Sequence, residues 1–314
     1  MEKIRLGIST CLLGHNVRYD GGHKLDRYLR DELGRFVEYV PVCPEVEAGF
    51  GIPRESLRLV GDPENPRLVT RRTGLDRTAR MKKWAAKRVR ELEKEDLCGF
   101  IFKSGSPSSG MERVRVYTAK GMPSKRGTGI WARAFIDHFP LLPVEDDGRL
   151  HDARLRENFI QRVFVHHRWR QLAARKTRGA LVDFHTRHKL LILSHSQKHY
   201  RLLGKLVARA KELTPAALYR EYLACLTNAL KIKASVRNQV NVLQHVMGYF
   251  KKRLSADEKQ ELLEVIEQYR AGYVPLIVPV TLLNHHVRKS GQPYLKQQVY
   301  LSPHPIELQL RNRV

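Results

Sequence analysis

The stretch "CGFIFKSGSPSSG", residues 98–110, decides how the first half of the chain reads. Its opening apolar run has the length and composition of a strand buried on both faces. A turn with two glycines, a proline and four serines follows, rich in hydroxyls and backbone N–H groups, the way an α/β protein presents chemistry. Working outward, two earlier segments repeat the arrangement. "IRLGIS" (4–9) runs into Cys11, and "VEYVPVC" (37–43) ends on Cys43. Between these runs, "KLDRYLRDELG" (24–34) is amphipathic with Gly34 placed to stop it, and "LDRTARMKKWAAKRVRELEKED" (75–96) has helix spacing. The order strand, helix, strand, helix, strand predicts an α/β, Rossmann-like layered domain with a mostly parallel sheet, its reactive groups at the carboxyl ends of the strands.

Past "PLLPVEDDGRL" (140–150) the pattern changes. Segments such as "RGALVDFHTRHKLLILS", "TPAALYREYLACLTNAL" and "QVNVLQHVMGYFKKRL" repeat apolar residues near helix period, Thr214 precedes a proline at a first helical position, and Ser255 with Glu258 forms a capping-box pattern. The expected organisation is an α/β domain over residues 1–145 and an all-α helical domain over 151–314. With 314 residues and 42% hydrophobic content the chain can bury a large core. No apolar run reaches the roughly 18 residues of a membrane helix, and the charged start lacks a secretory apolar segment, so the expected location is the cytoplasm, without membrane partners.

Fifty-seven Lys and Arg against 32 Asp and Glu give a net charge of +25, of which residues 151–314 carry +18. That bias suits a polyanion such as RNA, through phosphate neutralisation and counterion release. In the second half, His185, Arg187, His188, Lys189, Lys198 and Arg201, with Phe184 and Tyr200 interleaved, form the candidate nucleic-acid-binding segment. A solvated basic face is the plainer reading of the same residues. The histidine spacing also invites a metal, yet no carboxylate falls between Asp183 and Glu212, so a surface or groove histidine ranks above a ligand. Four scattered cysteines exclude a disulfide scaffold, and none shows C-x-x-C spacing. Cys98, opening its strand, and Cys225, inside a helical stretch, read as structural thiols. From the residues alone, Cys11 and Cys43 read equally as buried strand-end thiols or as ligands.

Three segments in order, "STCLLGHNVRYDGG" (9–22), "PVCPEVEAGFGIPR" (41–54) and "KSGSPSSGMERVRVY" (103–117), resemble the TudS-like thiouracil desulfidase family, domain of unknown function 523, over about residues 1–145. The second half, with "FHTRHKLLILSHSQKHYRLLGKLVA" and "VPLIVPVTLLNHHVRK", resembles the YbgA-like family, domain of unknown function 1722. The first resemblance implies a [4Fe–4S] cluster on three cysteines, one iron left open for substrate sulfur. Carried over by motif, the ligands are Cys11, Cys43 and residue 109, where this chain reads "SPSSG" and has Ser109 in place of the expected cysteine. A serine oxygen is a harder and far less acidic donor than a thiolate.

The implied reaction is non-redox desulfidation of thiolated uracil, thiouridine or its nucleotide, with thiolated tRNA as a further partner. Glu45 is the candidate acid/base, with a helix N-terminal carboxylate as its plainer alternative. Ser104 and Ser106 are candidates for hydrogen bonds to the uracil edge or the attacking water, and Ser108 reads as a turn residue. Arg18, Asp20 and Lys103 are candidate substrate contacts, with an Arg18–Asp20 turn ion pair equally open. The rival function is an RNA-binding protein whose cluster site is weak or inactive. A dinucleotide-dependent oxidoreductase ranks lowest, because no G-x-G-x-x-G turn follows the first strand.

Overall fold

Burial on nearly every position of Ile4–Ser9 (β1) places that strand inside a sheet covered on both faces. In the computed structural model, which describes residues 3–118, 122–250 and 252–313, the chain divides into two units, one ending at Asp152 and the other beginning at Ala153. In the first, β1 pairs in parallel with Val37–Val42 (β2) on one side. The remaining strands are Leu57–Val60 (β3), Arg67–Thr70 (β4), Phe100–Phe102 (β5), Val114–Tyr117 (β6), Pro123–Gly127 (β7) and Val144–Asp146 (β8). One sheet runs β2-β1-β5-β8, parallel throughout, so the carboxyl ends of its strands share one edge. The expected mostly parallel sheet is this one.

A second sheet, β4-β3-β6-β7, mixes antiparallel and parallel pairs. Its strands are short and carry arginines, as in "LRLV" and "VRVY", so their apolar content is too low to stand out as runs.

Among its described residues, this unit has the α-helices Pro44–Glu47 (α1), Thr78–Leu92 (α2) and Ile130–His138 (α3). α2 buries Met81, Ala85, Val89 and Leu92, the three-to-four spacing that puts them on one face. α3 buries Trp131 and Phe135 against Phe100 and Phe102, with ring centroids 4.6 Å apart for Phe100–Phe135 and 5.6 Å for Phe102–Phe135. Gly7 is required in β1 because a Cβ there would run into the Phe100 ring. The expected helix over 24–34 is instead a widened turn, Tyr28–Glu32, followed by a tight turn, Leu33–Arg35. It still buries Leu29 and Leu33.

The second unit is helical: Ala153–Ala173 (α4), Arg178–His195 (α5), Gln197–Ala208 (α6), Pro215–Lys231 (α7), Val236–Gly248 (α8), Ala256–Ala271 (α9), Ile277–Ser290 (α10) and Pro293–Lys296 (α11). Thr177, Ser196, Thr214, Ser235 and Ser255 each cap a helix by accepting a backbone N–H, and Ser255 with Glu258 completes a capping box. Trp169 stacks on Tyr222 at 5.5 Å inside the core.

α5 is central, with apolar burial around most of its circumference, and this overturns the surface reading of its histidines. His185, His188 and His195 are 8%, 2% and 2% exposed. His185 Nδ1 meets the Tyr222 hydroxyl at 3.0 Å, His188 Nδ1 donates to the Phe184 carbonyl at 2.7 Å, and His195 bridges the Ile232 carbonyl and Gln161 at 2.6 Å each. Burial holds all three well below the ordinary histidine range, at about 4, 3 and 4. These are neutral core residues, so His185 and His188 have no face to offer a nucleic acid. Arg187, Lys198 and Arg201 are exposed, while Lys189 is half-buried over the Tyr294 ring at 4.7 Å. No helix among the described residues is long and apolar enough to cross a membrane.

Candidate functional site

The carboxyl ends of β1, β2 and β5 open into one cavity of ≈ 270 Å³. β1 delivers Ser9 and then Cys11 in the tight turn Thr10–Leu13; β2 delivers Cys43 and, on the first turn of α1, Glu45; β5 delivers Lys103 through Ser109. The cavity brings together Cys11, Cys43, Glu45, Ser104, Ser106 and Ser109. Parallel pairing explains the convergence, since neighbouring parallel strands end on the same edge although their residues lie far apart in sequence.

The serine turn is fixed from beneath. α3 begins with N–H groups that have no partner inside the helix, and those of Trp131 and Ala132 donate to the Ser108 carbonyl at 3.0 and 3.1 Å. Gly129 permits this approach, because a Cβ there would strike the Ser108 backbone. From the side, Asp147 accepts from the Ser104 N–H at 2.6 Å and from Lys103 Nζ at 2.9 Å. Lys103 Nζ also donates to Ser104 Oγ at 3.0 Å. Its ammonium therefore has protein acceptors already and holds the turn in place.

Within the turn, Ser106 Oγ accepts the Ser109 N–H at 3.1 Å and lies 3.0 Å from Ser108 Oγ. Ser108, fully buried, donates its hydroxyl to Glu45 Oε1. The expected turn residue thus orients the candidate acid/base. Glu45 Oε2 lies 3.7 Å from Cys43 Sγ and 3.8 Å from Arg54 Nη2. Ser109 is 3% exposed, and its hydroxyl forms no hydrogen bond among the described residues.

Burial, reinforced by the Glu45 charge, pushes the Cys11 thiol up to about 11 and the Cys43 thiol up to about 12. Both are protonated at neutral pH, so binding a metal would release protons. Two thiols and one unpartnered hydroxyl thus face one cavity. No cluster of three or more His, Cys, Asp or Glu side chains placed for a single metal ion occurs among the described residues.

Residues 6–147 match the 2-thiouracil desulfurase family, and residues 189–305 match a family described as a protein of unknown function, DUF1722. The uncharacterized protein YbgA of Escherichia coli strain K12 is 34% identical over 161 residues, which is 51% of this chain and 95% of that protein. The uncharacterized protein YbbK of Bacillus subtilis strain 168 is 31% identical over 108 residues, 33% of this chain and 71% of that protein. The chain belongs to the 2-thiouracil desulfurase family through its first unit and to the DUF1722 family through its second. A desulfurase-type function follows at the level of the family. Among solved structures, a [4Fe–4S]-dependent thiouracil desulfidase, TudS, is 31% identical, with a TM-score of 0.39, covering 48% of this chain and 95% of that one.

In the desulfurase unit, the remaining site residues separate. Arg18 lines the cavity and pairs with Asp20 at 3.4 Å, while Asp20 lies outside the lining and accepts the Gly22 N–H at 3.0 Å. Cys98 is 1% exposed beside the Asp96 carbonyl and is not part of the cavity, and Cys225 sits half-buried in α7. Arg54 is a residue the sequence reading missed. It lines the cavity, and its Nη1 donates to the Val17 and Gly51 carbonyls at 3.0 Å each. The signal was its place in "FGIPR", downstream of Cys43 and Glu45 in the same segment. A second opening of ≈ 550 Å³ adjoins the first, shares Tyr19 and Pro107 with it, and is lined by Arg58, Arg71, Arg113, Arg115 and Lys125 with no carboxylate.

Proposed function

We propose that the desulfurase unit is a [4Fe–4S]-dependent, non-redox desulfidase acting on thiolated uracil carried by a nucleoside or nucleotide. The observation that carries this reading is the convergence of Cys11, Cys43 and Ser109 on one cavity with Glu45 and the serine turn. Cys11 and Cys43 would hold the cluster through sulfur, and Ser109 would offer a hydroxyl oxygen in place of a third thiolate. A cluster bound there would supply an iron acting as a Lewis acid toward a soft thiocarbonyl sulfur. The net reaction is hydrolytic: a C=S bond is replaced by C=O, water supplies the oxygen, and hydrogen sulfide leaves with no electrons gained or lost.

The chain's own groups divide the remaining work. Glu45, oriented by Ser108 and Arg54, takes a proton from the attacking water or delivers one to the departing sulfur. Ser104 and Ser106 present hydroxyls to the pyrimidine edge, and Arg18 stands at the rim for a carbonyl or phosphate. Lys103 positions the turn through Asp147. The basic opening beside the cavity favours a substrate with phosphates, a thiouridine nucleotide or thiolated tRNA; within the helical unit, Arg187, Lys198 and Arg201 are the exposed candidates for RNA phosphates. A cytoplasmic location fits such substrates.

The same charge supports a second reading, an RNA-binding protein whose cluster site Ser109 has weakened. Anaerobic reconstitution of the chain beside Ser109→Cys separates the two, read by iron content, absorbance near 400 nm and sulfide release from 4-thiouridine monophosphate. The proposal expects both forms to hold iron and release sulfide, the cysteine form more fully. Iron-free protein in both forms would sink it, and tRNA binding with a steep salt dependence would then favour the second reading.

A further inference from the structure

The cations of the opening beside the reaction cavity come from the second sheet: Arg58 from β3, Arg71 just after β4, Arg113 just before β6, Arg115 within it, and Lys125 from β7. Strand alternation sets three of them on one face. Leu59 pairs with Val116 and both are buried, so Arg58 and Arg115, each one residue earlier on parallel strands, stand side by side on the opposite face. Lys125 follows Ser124, the partner of Val116 on β7, and joins that face. Like charges placed side by side on a sheet repel. Elsewhere in this unit pairing relieves such repulsion: Arg5 meets Glu95 at 2.5 Å, Arg88 meets Glu47 at 3.1 Å and Arg149 meets Glu145 at 2.6 Å. None of the five cations of the opening has a carboxylate partner among the described residues, and no carboxylate lines it. A face shaped only for solubility would mix both signs.

Two details hold these cations in place. Arg58 sets its guanidinium over the Tyr117 ring, 5.6 Å from the centroid. Arg113 has φ +55°, in the left-handed region that a residue with a Cβ seldom adopts. Glycine would sit there without strain, yet an arginine occupies the position and lines the opening. Strained residues of this kind concentrate where ligands are gripped.

The opening and the reaction cavity share Tyr19 and Pro107, so one ligand can occupy both. A single phosphate group carries at most about two negative charges, and the five cations call for more than one. Resting on the desulfidase reading above, we propose that Arg58, Arg71, Arg113, Arg115 and Lys125 form a subsite for a chain of two or more phosphates attached to the thiolated uridine. The second sheet then selects the carrier of the pyrimidine, while the strand-end cavity performs the chemistry. A 5′-triphosphate and a phosphodiester backbone share the chemistry this subsite recognises.

The test reads binding to the cluster-free, full-length protein by titration calorimetry, with ligands that need no thiocarbonyl: uridine, uridine monophosphate, uridine triphosphate and pentauridylate. The triphosphate or the pentauridylate should bind at least tenfold more tightly than the monophosphate and lose at least tenfold in affinity between about 50 and about 200 mM salt. Whichever of the two is tighter identifies the carrier. Replacing Arg58→Gln and Arg115→Gln together should weaken that binding at least tenfold with the circular dichroism unchanged. Arg113→Gly should weaken it about threefold without lowering the melting temperature, since glycine accepts that backbone; a lower melting temperature would remove Arg113 from the subsite. A monophosphate bound as tightly as the longer ligands overturns the proposal, as does binding that survives the paired substitution. No cluster and no sulfide enter the measurement, so a chain that fails as a desulfidase and a chain that lacks this subsite are told apart.

Discussion

The strand-end cavity of the first unit and the histidine core of the second both bury polar side chains, with opposite outcomes. In α5 each histidine is anchored by a short hydrogen bond to a neighbour and kept uncharged by burial. At the strand ends, Glu45 is held from behind by Ser108 and Arg54, and the Ser109 hydroxyl has no hydrogen-bond partner among the described residues. His195 uses both ring nitrogens inside the protein and His188 keeps an unpartnered Nε2 in the core, whereas Ser109 lines a cavity; an opening beside the spare polar atom, not the spare atom alone, separates the two cases. Residue type does not separate the cases, since α5 carries the metal-binding and acid–base residue type and is structural.

The sharpest way to break this contrast is at the cysteines. Cys11→Ala and Cys43→Ala should each abolish iron retention and sulfide release while the apoprotein still folds; an alanine variant that reconstitutes to full iron content would contradict the ligand assignment. Next in size, Glu45→Gln should lower turnover by about 10²–10⁴-fold with iron content unchanged, the range for loss of a general acid or base. Steady-state kinetics on the reconstituted protein decides this, and unaltered turnover would reduce Glu45 to a helix-end carboxylate.

Acid should separate the units. His166, His185, His188, His195 and His304 are all held at about 4 or below by burial, against about 6.5 in an unfolded chain. The unfolded state therefore binds more protons below pH 6.5, and stability present above that value drains away as the pH falls toward 4. The melting temperature of the helical unit should drop across this window, and His195→Leu should flatten the profile. A profile level down to pH 4 would mean that these rings are already charged or accessible. The smallest effect belongs to Ser255→Ala, which removes a helix cap at a cost of about 1 kcal/mol, measured by denaturant unfolding, and should leave sulfide release unchanged.

Much of the first unit was legible because strands buried on both faces read as unbroken apolar runs that stop at punctuation. The apolar runs alone place Cys11, Cys43 and the serine turn at strand ends. The second sheet was not legible, since four-residue strands interrupted by arginine give neither a run nor a clean alternation. The α5 histidines were misread for a related reason: α5 exposes Val182, Asp183 and Arg187 on one face and buries His185 and His188 on the other, and spacing alone cannot distinguish a groove from a core. The Ser108–Glu45 contact spans 63 positions and exists only because two parallel strands end together. Ser109 is different in kind, visible at once as a departure from a motif, with its consequence hidden until the hydroxyl was found unpaired.

The bond between the Ser108 carbonyl and the start of α3 couples the turn to the aromatic core, because that helix carries Trp131 and Phe135 into it. The turn cannot swing away without drawing Trp131 outward. Its shape is therefore present before any cofactor arrives, and loading need not be accompanied by the ordering of a loose loop. In deuterium-exchange terms, the Trp131 and Ala132 amides should exchange only at the rate of global unfolding, in cofactor-free and loaded protein alike.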